Sequence, residues 1–245
     1  MRSAPADQAS GLRKILGRLS MRWRLVLQPT ARSAIHAQAL AERAHRLAAH
    51  EGTTLVIDAA RSQVALLLGL RLRYDLQHVL TGDCEIADAC VPASQFLWVL
   101  PAARALDLAG GDEQHAARVA AAIYSVAADM RRAIVILPAA RVSWIRHLPQ
   151  EVRPRQALIP VAHNADASAA VLTAVRLAAS EAEIDTFRLL FLGMGEAAAG
   201  RLLSAMAAIA QRHFGATLLA AEPVPEAGLG SSRRHARHRP VETVF

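Results

Sequence analysis

Residues 34–58 read AIHAQALAERAHRLAAHEGTTLVID, and the fold is decided by how this stretch changes character near its end. The part at 34–50 has the length and patterning of a helix. Gly52 stands where that helix should stop, because glycine accepts the left-handed backbone of a helix terminus without strain. Thr54–Asp58 is then a continuous apolar run that closes on an acid. Such a run, without polar alternation, is what a strand covered on both faces requires. The same grammar extends in both directions. Strands are predicted at 23–27, 54–58, 96–100, 133–137, 157–162, 187–192 and 217–221. Helices are predicted at 34–50, 113–129, 165–179 and 196–213, with Gly215 repeating the place of Gly52 before the last strand. Strands alternating with helices of this length imply right-handed βαβ crossovers. The expected architecture is an α/β domain: a mostly parallel, twisted sheet of about seven strands with helices on both faces.

The chain has 245 residues, which suits one such domain. Hydrophobic residues make up 53%, yet arginines and other charges interrupt every run short of the ~18–20 apolar residues that span a bilayer. The start of the chain is charged, with no apolar core and no small-residue cleavage site, so it does not read as a secretory signal. The reading is of a cytoplasmic protein, with a partner as its route to the cell pole or inner membrane. The formal charge of +7 raises nucleic acid or an anionic membrane as partners. Against that, the cations are arginines scattered one or two per segment, and aromatic residues for stacking on bases amount to 4%. The expectation is arginine spread over solvated faces and no nucleic-acid partner. Lys14 is the only lysine. Cys84 and Cys90 are six apart, which matches no metal or redox spacing, and both are read as small buried or half-buried side chains. His235 and His238 stand among arginines, which disfavours a metal there. Gly193-Met-Gly195, with the next glycine only at Gly200, reads as a tight strand-to-helix turn in preference to a dinucleotide site.

Three segments are expected: 1–21 as an N-terminal helix, 22–226 as the α/β domain, and 227–245 as a basic tail. Within the first, Leu12, Ile15, Leu16 and Leu19 fall at i, i+3, i+4 and i+7, on one helical stripe, with Arg13, Lys14 and Arg18 away from it. Asp7 is placed to cap that helix or to sit in its first turn. A stripe of this kind packs on its own domain, lies on a membrane surface or docks on a partner.

Residues 7–13 read DQASGLR, directly ahead of the first strand. This string resembles the DQAxxLR motif of the flagellar-number regulators of the MinD/ParA family, the FlhG or FleN type. The resemblance continues through TTLVIDAA, VALLLGLRLRYDLQHVLTGDC, FLWVLPAA, AIVILPAA and the closing RHRPVETVF, and so covers nearly the whole chain. It implies a MinD-like fold and a partner, a signal-recognition-type GTPase of the FlhF kind, that the N-terminal segment activates. Asp7, Gln8, Leu12, Arg13 and Leu16 would carry that contact, with Gln8 helping to organise the GTPase site. A flagellar transcriptional activator or switch component is a further implied partner.

The departures from the family pattern fall on the nucleotide site. Its phosphate loop, of the form GKGGVGKT, would occupy the stretch from Pro29 to Ala37, which includes Arg32 and contains no glycine. Such a loop works because glycines turn successive backbone N–H groups inward on the phosphates, while a lysine and a hydroxyl hold the γ-phosphate and Mg²⁺. Here His36 takes the lysine position and Ala37 the hydroxyl position. Ala60 replaces the acid, two residues beyond Asp58, that orients the attacking water. The switch pattern D-T-P-A-G becomes Ile136-Leu-Pro-Ala-Ala140. Phosphoryl transfer rests almost wholly on positioning and charge stabilisation by such parts. The expected function is therefore regulation of flagellar number or placement and of flagellar biosynthesis by a pseudo-ATPase, with no catalytic residues, no metal and no cofactor. Two alternatives stay open: an ATPase of this family that binds ATP and Mg²⁺ through an unrecognised loop, or a basic module that binds DNA or a membrane surface.

Overall fold

The computed structural model describes residues 22–29, 34–61 and 63–221. The expected N-terminal helix with Asp7, Gln8, Leu12, Arg13 and Leu16, the position of Arg32, and the expected basic tail lie outside these residues. The chain runs β1 (Arg22–Gln28), α1 (Ala34–Glu51), β2 (Thr54–Asp58), then short helices α2 (Val64–Leu67), α3 (Leu76–Thr81) and α4 (Ile86–Ala89). It continues through β3 (Val91–Ser94), β4 (Leu97–Pro101), α5 (Ala103–Leu108), α6 (Glu113–Ala127) and β5 (Arg132–Pro138). A 3₁₀ segment (Ala139–His147) leads on to β6 (Gln156–Ala162), α7 (Ala167–Ala182), β7 (Thr186–Leu192), α8 (Glu196–Phe214) and β8 (Thr217–Ala220).

The eight strands form one sheet in the order β3-β4-β2-β5-β1-β6-β7-β8, parallel except for β3, which pairs antiparallel with β4. The expectation of about seven strands is corrected to eight. The added strand is four residues long and slips register between Pro92 and Ser94. Proline lacks the N–H a central ladder needs, which confines such a segment to a sheet edge and hides it from a search for apolar runs.

Alternation along the strands sorts the core into two layers. Leu25, Leu27, Leu55, Ile57, Val135 and Leu137 face the layer that holds α5, α6, α7 and α8. Val26, Val56, Ile134, Ile136, Leu97 and Val99 face α1 and α2, packing on Leu40, Ala44 and Ala48 of α1. Each fully buried Leu, Ile or Val adds ~1.5–3 kcal/mol, so both faces of the central strands are strongly specified. Gly52 (φ 92°) and Gly215 (φ 65°) close α1 and α8 in the left-handed conformation. Asp112 caps α6 by accepting the His115 N–H at 3.0 Å.

Candidate functional site

From β1 the chain crosses to β2 on one side and, later, from β5 to β6 on the other, so β1 lies at the switch point of the sheet. Ligands of open α/β sheets bind outside the carboxyl ends of the strands at such a point. In register across three strands, Val26 lies beside Ile136, and Ile136 beside Asp58. Ile136 is 1% exposed and belongs to the apolar layer under α1. Asp58 is also buried, and its Oδ1 accepts the Ala60 N–H at 3.1 Å. The Asp58 carbonyl accepts the Ala102 N–H at 2.9 Å, and the Ala59 N–H donates to the Ile136 carbonyl at 2.9 Å. The acid is thus the centre of a turn that ties the ends of β2, β4 and β5 together.

Past this turn the backbone takes two left-handed non-glycine residues, Arg61 (φ 50°) and Gln63 (φ 65°). Arg61 reaches Asp107 at 2.7 Å on the surface. A shallow depression of about 520 Å³ lies beside Asp58 and is bordered by Arg61, Leu66, Leu70 and Arg104. Asp75 sits at its edge and caps α3 by accepting the Gln77 N–H at 3.0 Å. It also accepts the N–H groups of Arg104 and Ala105 at 3.2 Å, fixing the start of α5. Sequence reading passed over Asp75; Asp followed by the apolar-periodic LQHVLTG was its available cue.

His36 and Ala37 fall in the first turn of α1, 2% and 0% exposed. His36 is thus a buried residue of the helix. Burial pushes its pKa below the ordinary histidine range, so the ring is neutral near pH 7. A neutral imidazole cannot supply the charge that a phosphate-loop lysine brings. Ala37, Ala60 and Ile136 offer no side-chain oxygen. Among the described residues, Asp58 is the one acid at these positions, and its Oδ1 is committed to a backbone amide. Among the described residues, these positions offer Mg²⁺-bound ATP one carboxylate and no cationic side chain.

Gly193 (φ 67°) and Gly195, the N-cap of α8, make the predicted tight turn after β7. Cys84 and Cys90 are free, half-buried thiols, and burial pushes the Cys90 pKa up to about 11. Among the described residues no cluster of three or more His, Cys, Asp or Glu could hold a metal, and no helix is long and apolar enough to cross a membrane.

No family model matches the sequence, and no curated protein matches it significantly. Solved structures do match in fold. A ParA-family ATPase from Chlorobium tepidum superposes with a TM-score of 0.57 at 14% identity, over 86% of this chain and 87% of that one. The MinD cell division protein of Aquifex aeolicus gives 0.55 at 18% identity, over 80% of each chain. McdA of Cyanothece in complex with ATP gives 0.57 at 15% identity, over 82% of this chain and 83% of that one. The chain therefore has the fold of the MinD/ParA-type P-loop ATPases.

Proposed function

We propose that the protein is a regulatory pseudo-ATPase on a MinD/ParA scaffold, acting on flagellar number or placement through the segment 1–21. The observation that carries the first half is the row Val26–Ile136–Asp58: the position where the fold family holds a switch acid is a buried isoleucine in an apolar layer. Buried His36 and Ala37 point the same way. The second half rests on DQASGLR, with an FlhF-like GTPase as the partner and a flagellar transcriptional activator or switch component as a further one. Neither ATP nor Mg²⁺ is needed in this reading.

The test is GTP turnover by the cognate FlhF-like protein in the presence of the full chain. Wild type should stimulate it. Gln8→Ala should bind and fail to stimulate, because alanine cannot help to position the attacking water. Leu12→Asp should lose binding by about tenfold or more, since burying one leucine contributes ~1.5–3 kcal/mol and a buried charge costs further. No stimulation by wild type, or equal stimulation by Gln8→Ala, refutes the partner reading.

A second reading, an ATPase that uses an unrecognised loop, draws on the fold likeness to a protein solved with ATP. Phosphate release from ATP that requires Mg²⁺ supports it, and its absence supports the pseudo-ATPase.

A further inference from the structure

A groove of about 740 Å³ runs between α1 and the sheet, from the amino ends of β1 and β5 up to Val26 and Ile136. Arg22 and Arg24 project into it from the same side of β1, two residues apart. Arg132 lies beside Arg22 in the β1–β5 register, and Arg188 on β7 lies beside Leu158, itself paired with Val26 of β1. Neighbouring strands are ~4.8 Å apart, so four guanidinium groups share a patch a few strands wide. Glu51 is the one carboxylate lining the groove among the described residues, and it is already paired with Arg132. The Arg132 side chain is 3% exposed, and its Nε and Nη1 have no hydrogen-bond partner. Like charges directly opposite one another destabilise a sheet. The mutual effect is visible in two groups: burial, then Arg22 and Arg188, lower the pKa of Arg24. Burial, then Arg24 and Arg22, bring that of Arg132 down to about 10. Arg43 of α1 and Gln156 of β6 add two more polar side chains to the lining, and the rest is apolar, with Val26, Ile134 and Leu158 on the floor and Leu40 and Leu47 on the wall.

We propose that this groove binds a small soluble organic phosphate, with its phosphate among Arg22, Arg24 and Arg188 and its apolar or aromatic body along Leu40, Leu47 and Leu158. Guanidinium groups match phosphate oxygens in paired, charge-assisted hydrogen bonds. A dianion would turn the repulsion between these arginines into shared attraction. The volume falls within the range of small-molecule sites. A duplex backbone or a bilayer surface cannot bring its phosphates to half-buried Arg24, which favours a small molecule.

The test uses the full chain at fixed ionic strength, with 1-naphthyl phosphate and inorganic phosphate as probes of thermal unfolding. At about ten times Kd, naphthyl phosphate should raise Tm by about 3–6 °C, and inorganic phosphate by less. Arg24→Gln and Arg188→Gln should lose that response, and Arg24→Gln should raise the ligand-free Tm by removing repulsion. Arg188 is exposed, so its variant keeps the test open if the other fails to fold. Arg201→Gln, on exposed α8 surface, should respond like wild type. No rise with naphthyl phosphate, an equal rise with inorganic phosphate, or a rise that Arg24→Gln and Arg188→Gln retain overturns the proposal. Binding of duplex DNA or anionic vesicles that depends on Arg24, without a response to the probes, overturns it equally.

Discussion

The two ends of the same three strands are built on opposite principles. At the carboxyl ends of β1, β5 and β2, where α/β folds place their ligands, stand Val26, Ile136 and a single acid tied into a turn. At the amino ends of β1 and β5 stand Arg22 and Arg132 side by side, with Arg24 one strand step on. Between the ends, every strand is the same apolar core. The backbone fold therefore depends on the middle of each strand, while the chemistry depends on a few terminal positions that can change without disturbing it. This separation lets a chain keep the fold of solved structures that are only 14–18% identical to it while its arginines gather toward the other end of the strands.

The contrast breaks most sharply at Ile136. If the carboxyl end is an apolar extension of the core, Ile136→Asp buries a carboxylate in a layer of Val26, Val56 and Leu40. The loss of packing and the uncompensated charge should together destabilise by more than about 4 kcal/mol, read by denaturant unfolding. An end still organised around Mg²⁺ would instead tolerate the acid and gain stability on adding Mg²⁺.

At the other end the sharpest probe is Glu51→Gln, which leaves the Arg132 guanidinium buried without its counter-ion. Removing one partner of a buried pair costs several kcal/mol. Glu51 is 35% exposed, and solvent screening brings the expected loss to about 1–3 kcal/mol. Chemical denaturation of the variant at low salt reads it. A neutral outcome would mean that the arginines there are solvated and carry no strain.

The burial of His36 makes a pH prediction. Its folded pKa is lowered, so below the ordinary histidine range the unfolded chain takes up a proton that the folded chain refuses. Stability from this group is complete above about pH 6.5 and falls as pH drops below it, by up to about 1.4 kcal/mol per pH unit. His36→Leu should remove that part of the slope and leave stability above pH 7 nearly unchanged. Identical pH profiles for the two proteins between about pH 5 and 7 would show that the ring titrates normally.

The sheet was legible because its signal is local and strong. Continuous apolar runs bounded by Gly52 and Gly215 located seven strands and four long helices to within a few residues. The edge strand at Val91–Ser94 and the short helices from Val64 to Ala89 were not legible, since four to six residues carry too little periodicity to register. The chemistry divides in the same way. Ala37, Ala60 and Ile136 could be read as departures because a family pattern fixes what should stand there. The arginine groove could not. The pair Arg22 and Arg24 is far in sequence from Arg132 and from Arg188, and the reading of arginines as solvated decoration is corrected by Arg132, which is 2% exposed. Only the β5–β1–β6–β7 order, a consequence of the crossovers, brings them together.

The smallest expected effect tests what the surviving acid is for. Asp58→Asn keeps an oxygen that can accept the Ala60 N–H and removes the charge. If the acid serves the turn that joins β2, β4 and β5, an amide does nearly the same work. The cost should then stay below about 1 kcal/mol, the net worth of one hydrogen bond. If the acid instead coordinates Mg²⁺, wild type should be stabilised by added Mg²⁺ in proportion to RT ln(1 + [Mg²⁺]/Kd), and the asparagine variant should not. The measurement is thermal unfolding of both proteins with and without Mg²⁺. Superimposable shifts would assign Asp58 to the fold. A Mg²⁺ response confined to wild type would assign it to metal binding and count against the pseudo-ATPase proposal.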